Sequence, residues 1–82
     1  MRALDTVKIG ERIRNARKSC GLTQAKMAQL VGITQPNYSF YERGVVIPSV
    51  EIICKIADVS GMSTDYLLCR TDISVMDSDN HA

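Results

Sequence analysis

The chain has 82 residues, of which 45% are hydrophobic and 23% are charged. This length allows one small domain with a single core, without room for a catalytic domain beside a regulatory one, and the composition excludes wholesale disorder. The net charge is only +1, yet residues 1–43 hold eight Lys and Arg against three acids, whereas residues 44–82 hold two bases against six acids. The basic half indicates a polyanionic partner, and a solvated surface of mixed charge is the alternative.

The cysteines and the N-terminal segment argue against several kinds of site. Cys20, Cys54 and Cys69 are widely spaced and lie in or beside apolar stretches, so we expect reduced thiols in the core. No Cys or His spacing fits a metal site, and His81 stands alone, so we expect no metal and no cofactor. There is no signal-peptide pattern and no run of 18 apolar residues, which predicts a cytoplasmic protein that does not bind membranes.

The first predicted helix runs from about Thr6 to Cys20. Its apolar residues recur at spacings of three and four, which places one stripe toward the core: Ile9, Ile13, Ala16 and Cys20. The same periodicity leaves three basic residues on the outside: Arg12, Arg14 and Lys18. Gly21 then ends this helix.

Two further helices follow with a tight connection. Thr23 is placed to cap the second helix, which buries Met27, Ala28 and Val31 and ends at Gly32. Thr34 caps the third helix, in which Tyr38 and Tyr41 lie on the inner side. Its outer face then holds Gln35, Pro36, Ser39, Phe40 and Arg43. Two helices joined by a short glycine turn make a helix-turn-helix candidate, and Pro36 is tolerated because its missing N–H lies in the first turn.

The remaining chain predicts two more helices and a tail. Pro48 and Ser49 precede a fourth helix with Val50, Ile53, Ile56 and Ala57 at helical spacing, and Gly61 ends it. Ser63 or Thr64 caps a short fifth helix that continues to about Cys69. We therefore expect an all-α, compact five-helix bundle in residues 1–70, followed by an acidic and partly mobile tail in residues 71–82.

Most of the chain resembles a known family. The stretches "LTQAKMAQLVGITQPNYSFYERG" and "PSVEIICKIADVSGMSTDYLL" are similar to the lambdoid phage repressor and Cro-like, xenobiotic-response-element type of helix-turn-helix protein. This resemblance implies a lambda repressor-like DNA-binding domain whose partner is double-stranded DNA. It also implies a homodimer that places two recognition helices in successive major grooves, about 34 Å apart.

The resemblance implies specific contacts to DNA. Gln35, Pro36 and Phe40 match positions that touch base edges: Gln pairs with adenine, while Pro and Phe meet a thymine methyl group. Gln24 matches a residue that binds a phosphate at a helix N-terminus. We expect Ser39 and Asn37 to add base or phosphate contacts. The candidates for neutralising the DNA backbone are Arg14, Lys18, Lys26 and Arg43. As alternatives, Phe40 packs on a neighbouring helix or a second protein, and Gln35 is a solvated amide.

Glu42 and Arg17 form the predicted structural ion pair. A carboxylate near a helix C-terminus is unfavourable unless it is paired, and the resemblance implies that Arg17 is the partner. Such a pair would link the first helix to the third.

One departure from the family leaves a second function open. Val45, Val46 and Ile47 stand where relatives carry basic residues that grip phosphates, and Ile47 could instead cover the core. The first hypothesis is a sequence-specific transcriptional regulator, a repressor that binds a pseudo-palindromic operator and needs no small-molecule ligand. The alternative is a protein-interaction module that uses Phe40, Val45 and Val46. No catalytic constellation is visible, so we do not expect an enzyme.

Overall fold

Five helices follow one another in the computed structural model of the chain, which describes residues 4–73. They are α1 (Thr6–Ser19), α2 (Gln24–Val31), α3 (Gln35–Glu42), α4 (Val50–Ser60) and α5 (Thr64–Leu67). The predicted all-α five-helix bundle is therefore confirmed. None of the helices within the described range has the length and apolar character needed to cross a membrane.

A side-chain oxygen caps the N-terminus of every helix. In each case it accepts the backbone N–H three residues later, and the five capping residues are Asp5, Thr23, Thr34, Ser49 and Ser63. Ser63 rather than Thr64 thus caps α5. This helix ends at Leu67, earlier than predicted, and Cys69 adopts a φ of 65° that cannot continue a helix. The short polar residues of the sequence therefore determine where the helices begin.

The core is built mainly from three helices, with one large side chain each from α3 and α5. Its fully buried members are Ile9, Ile13, Ala16, Met27, Ala28, Val31, Tyr38, Ile53, Ile56, Ala57 and Leu67. α3 packs on α1 and α2, whereas α4 packs on α1, α2 and α5. α3 and α4 do not pack extensively on each other.

Several side chains do not lie where the helical periodicity predicts. Cys20 and Cys54 are exposed and Cys69 is half-buried, so the prediction of core thiols is wrong for the first two. Val50 is 80% exposed because it is the first residue of α4 and projects beyond the core. Ile47 is 39% exposed and lines a surface depression together with the core residue Ile53.

Arg12 differs most from the prediction, because it is buried although the periodicity of the first helix placed it on the outside. Its Nη1 donates to the carbonyl oxygens of Tyr66 at 2.8 Å and Thr71 at 2.5 Å, and its Nη2 donates to Asp72 Oδ1 at 2.7 Å. Its guanidinium also lies 4.4 Å from the centre of the Tyr66 ring. The chain is consequently held to α1 as far as Asp72, two residues into the predicted tail, of which residues 74–82 lie outside the described range.

Candidate nucleic-acid interface

A three-residue turn, residues 32–34, sets the angle between α2 and α3. Gly32 adopts a φ of 81°, and the N–H groups of Gly32 and Ile33 both donate to the carbonyl oxygen of Ala28. Thr34 then accepts the N–H of Asn37 and starts α3. The left-handed conformation of Gly32 lets the chain reverse within this short distance.

The faces of α3 are divided as the sequence predicts. Tyr38 is completely buried, Glu42 is buried and Tyr41 packs partly against the core. The opposite surface exposes Gln35, Pro36, Asn37, Phe40 and Arg43, with Ser39 half-buried. The residues expected to read bases therefore share one accessible surface.

Phe40 does not pack into the bundle, and its partner is Arg43. The Arg43 guanidinium lies 4.9 Å from the centre of the Phe40 ring, a cation–π contact between two exposed side chains. This contact keeps an apolar ring and a positive charge together at the end of α3.

Glu42 is the centre of a polar network that joins three helices. Its side chain is 0% exposed and accepts from Arg17 Nε at 2.6 Å, from Arg17 Nη2 at 3.2 Å and from Gln24 Nε2 at 2.9 Å. Arg17 also donates to the carbonyl oxygen of Leu22 at 2.8 Å. Arg14 Nε lies 3.5 Å from the same carboxylate, but its side chain is 48% exposed. The predicted pair of Arg17 and Glu42 is thus present and ties α3 to α1 and to the start of α2.

This environment changes the acidity of two groups. Burial opposes the charged form of Glu42, but the hydrogen bonds from Arg17 and Gln24 outweigh it and hold the pKa of this carboxyl below its usual value. The hydroxyl group of Tyr38 is buried and has no hydrogen-bond partner among residues 4–73, and burial raises the pKa of Tyr38. Glu42 is therefore ionised and Tyr38 neutral around pH 7.

α1 and α3 also touch backbone to backbone at Gly10. A Cβ atom on Gly10 would lie 2.5 Å from the carbonyl oxygen of Glu42 and 2.6 Å from that of Tyr41. Only a residue without a side chain fits at this distance. The same region of α3 is thus fixed by a polar network and by a steric fit.

The candidate phosphate-binding residues differ in their surroundings. Lys18 and Lys26 are exposed, whereas Arg14 is close enough to Glu42 for part of its charge to be compensated. Gln24 lies at the first position of α2 and is half-buried, and its amide nitrogen is engaged by Glu42. The hydrogen bond from Gln24 to Glu42 was not predicted, because nothing in a single sequence indicates that two residues 18 positions apart are in contact.

Comparison with known proteins identifies the family. A family model described as helix-turn-helix matches residues 13–67, which include all of α2, α3, α4 and α5. The chain belongs to this helix-turn-helix family. The α2–α3 turn described above lies within the matched range.

Three members of the family show how close the similarity is. The transcriptional repressor RstR of the cryptic phage CTXphi, from Vibrio cholerae, is 44% identical over 64 residues, which are 78% of this chain and 57% of that protein. The c2 repressor of phage P22, solved in complex with a synthetic operator, has 35% identity and a TM-score of 0.69 over 73% of this chain and 91% of that one. The restriction-modification controller C.AhdI of Aeromonas hydrophila has 33% identity and a TM-score of 0.71 over 77% and 96%.

These relatives differ in length from the chain. The chain spans a little over half the length of the curated relatives it matches, 57% in the case of RstR. The similarity accordingly concerns the helix-turn-helix domain.

Proposed function

We propose that the chain is a sequence-specific DNA-binding transcriptional regulator, a repressor, that inserts α3 into the major groove. The observation that carries this proposal is the exposed row of Gln35, Pro36 and Phe40 on a helix whose opposite side is fixed to the bundle. A rigid helix with an amide and apolar groups on its free face suits direct readout of base edges. The named functions of the relatives, phage repressors among them, support the same function.

The roles of the α3 side chains follow from their chemistry. Gln35, at the first position of α3, pairs its amide with adenine N6 and N7. Pro36 and Phe40 contact thymine methyl groups, and Ser39 and Asn37 add polar contacts at the edge of the same surface. The operator half-site is therefore expected to contain A·T pairs at the positions that α3 reaches.

The DNA backbone is held by positive charge and by a helix N-terminus. Arg43, Lys18 and Lys26 are free to approach phosphates, while Arg14 contributes less because Glu42 lies near it. Gln24 presents its backbone N–H at the start of α2, where an anion is favoured, and its bond to Glu42 holds the side chain in place. Binding as a homodimer to a pseudo-palindromic operator would double these contacts.

A salt titration tests the proposal. Binding to DNA from upstream of the gene is measured by fluorescence anisotropy between 50 and 200 mM salt, a range over which roughly six phosphate contacts cost about a thousandfold in affinity. Gln35→Ala should then lose sequence preference while it retains the salt dependence. Gln29→Ala, which changes the same residue type at an exposed position of α2, is the matched control. Affinity that is insensitive to salt and to Gln35 would contradict the proposal.

A second function is favoured by one observation on the loop after α3. Val45 and Val46 are exposed there without a basic residue beside them, close in sequence to the exposed Phe40. A surface of this kind suits a protein partner. The same titration separates the two functions, because a protein-interaction module would bind the DNA neither tightly nor selectively.

A further inference from the structure

An apolar depression lies at the start of α4, and none of its lining residues belongs to α3. Its volume is about 280 Å³, and its lining includes Leu4, Ile47, Val50, Cys54 and Leu68. Three of these residues, Leu4, Ile47 and Val50, are among the exposed large hydrophobic side chains. Exposed apolar residues that converge on one groove indicate a surface that is covered by a protein.

The groove can be covered while the DNA-reading surface remains free. α3 and α4 do not pack extensively on each other, and the lining of the groove contains no residue of α3. Val50 and Cys54 are four residues apart on α4, which places them on one stripe of the helix. This stripe is the part of α4 that a partner would contact.

The charges beside this stripe indicate which partner fits. Glu51 and Lys55 are also four residues apart and exposed, and Lys55 Nζ lies 3.4 Å from Glu51 Oε2. A strongly acidic or strongly basic partner would gain no net electrostatic attraction from this pair, because its two charges cancel. A second copy of α4 in antiparallel order does gain, because Glu51 of each copy then faces Lys55 of the other.

We propose that this groove is the homodimer interface, with α4 of one copy packed antiparallel on α4 of a second copy. The proposal rests on the homodimer of the proposed function and names its contact surface. Val50 and Cys54 form the apolar centre, and Glu51 and Lys55 form the two symmetric ion pairs at its edge. Each interface residue is used twice because the contact is two-fold symmetric.

Charge reversal tests the arrangement directly. Sedimentation equilibrium without DNA gives the dimer dissociation constant of the full chain, so a failure to bind DNA cannot affect the result. Glu51→Lys and Lys55→Glu should each weaken the dimer about tenfold, because two attractions become two repulsions. The doubly reversed chain, and a mixture of the two single variants, should recover the affinity. A wild-type chain that is monomeric at micromolar concentration, or single variants that dimerise normally, would overturn the proposal.

A change at the centre of the interface gives a larger effect. Val50→Glu leaves the monomer folded, because Val50 is exposed and an acid suits the first turn of a helix. It should raise the dissociation constant by about a hundredfold or more, since two carboxylates would be buried together. Val45→Glu is the matched control, as Val45 is exposed on the loop after α3 and does not line the groove. If Val45→Glu dissociates the dimer and Val50→Glu does not, the interface lies on the loop after α3.

Cross-linking locates the contact independently. Cys54 lines the groove, whereas Cys20 is exposed at the end of α1. A short bismaleimide should therefore link two wild-type chains and two Cys20→Ser chains, but not two Cys54→Ser chains. Cross-linking that survives Cys54→Ser and disappears with Cys20→Ser would refute the α4 interface.

Discussion

Replacing Glu42 by Gln removes one charge at the junction of α1, α2 and α3 and keeps the shape of the side chain. Arg17 would remain with a side chain that is 13% exposed and with one neutral amide in place of its counterion. Removing one partner of a buried ion pair costs about 3–5 kcal/mol, because the remaining charge is buried without compensation. We expect a loss near the lower end of this range, about 3 kcal/mol, because Arg17 keeps its hydrogen bond to the Leu22 carbonyl oxygen.

Urea denaturation followed by circular dichroism measures this loss. A loss of about 3 kcal/mol in a domain of this size also lowers the melting temperature by about 12 °C or more. Arg14→Ala is the control, because Arg14 is 48% exposed and a surface pair contributes about 1 kcal/mol at most. A Glu42→Gln variant that loses no more stability than Arg14→Ala would refute the assigned role of the network.

The pH dependence gives the same test a second readout. The pKa of Glu42 is lowered on folding, so its contribution to stability is fully present above the unfolded value of about 4.5. It is lost as the pH falls through the lower folded value, because the folded state must then release the bonds from Arg17 and Gln24. The stability difference between the wild type and Glu42→Gln should therefore shrink below about pH 4.5. A difference that stays constant down to pH 3 would contradict this assignment.

Three further changes test other parts of the structure. Gly10→Ala should destabilise the fold by about 1–3 kcal/mol in urea despite a better helix propensity, because its Cβ would meet two backbone oxygens of α3; a variant as stable as the wild type, or more stable, would contradict the fit. Arg12→Met should speed amide hydrogen exchange in residues 68–72, whereas Asp72→Asn, at a side chain that is 94% exposed, should leave the exchange of residues 66–70 unchanged. Replacing operator thymines by deoxyuridine should weaken binding of the wild type more than that of Phe40→Ala, which keeps only the contact from Pro36, and equal losses in both would exclude the contact between Phe40 and thymine.

The bundle was predictable from the sequence because its helix boundaries depend on local chemistry. Thr23, Thr34 and Ser49 cap helices in the structure as they do in the prediction, and Gly32 and Gly61 end them in the left-handed conformation. Such signals act within a few residues and need no knowledge of the tertiary structure. The buried and exposed faces of α3 were also predictable, because burying Tyr38 fixes which residues of this eight-residue helix face outward.

Arg12 could not be predicted, because its partners lie 54 to 60 residues away and two of them are backbone carbonyl oxygens. Backbone groups carry no sequence signature, so periodicity alone placed Arg12 with the solvated bases. Cys20 and Val50 failed for a different reason. Both lie at helix ends, where a side chain on the inward face of the helix can extend beyond the edge of the core and remain exposed.

The polar network has a structural reason that follows from the composition of α3. This helix has eight residues and contributes a single fully buried side chain, Tyr38, to the core, while the surface proposed to read DNA must stay free. A helix this short is not stable in isolation, and one aromatic anchor leaves its rotation about that anchor weakly defined. The bonds from Glu42 to Arg17 and Gln24, and the contact of its backbone with Gly10, add directional constraints that apolar packing does not provide. A hydrophobic replacement of the pair could therefore match its stability and still lose selectivity for DNA, which distinguishes a role in orientation from a role in stability.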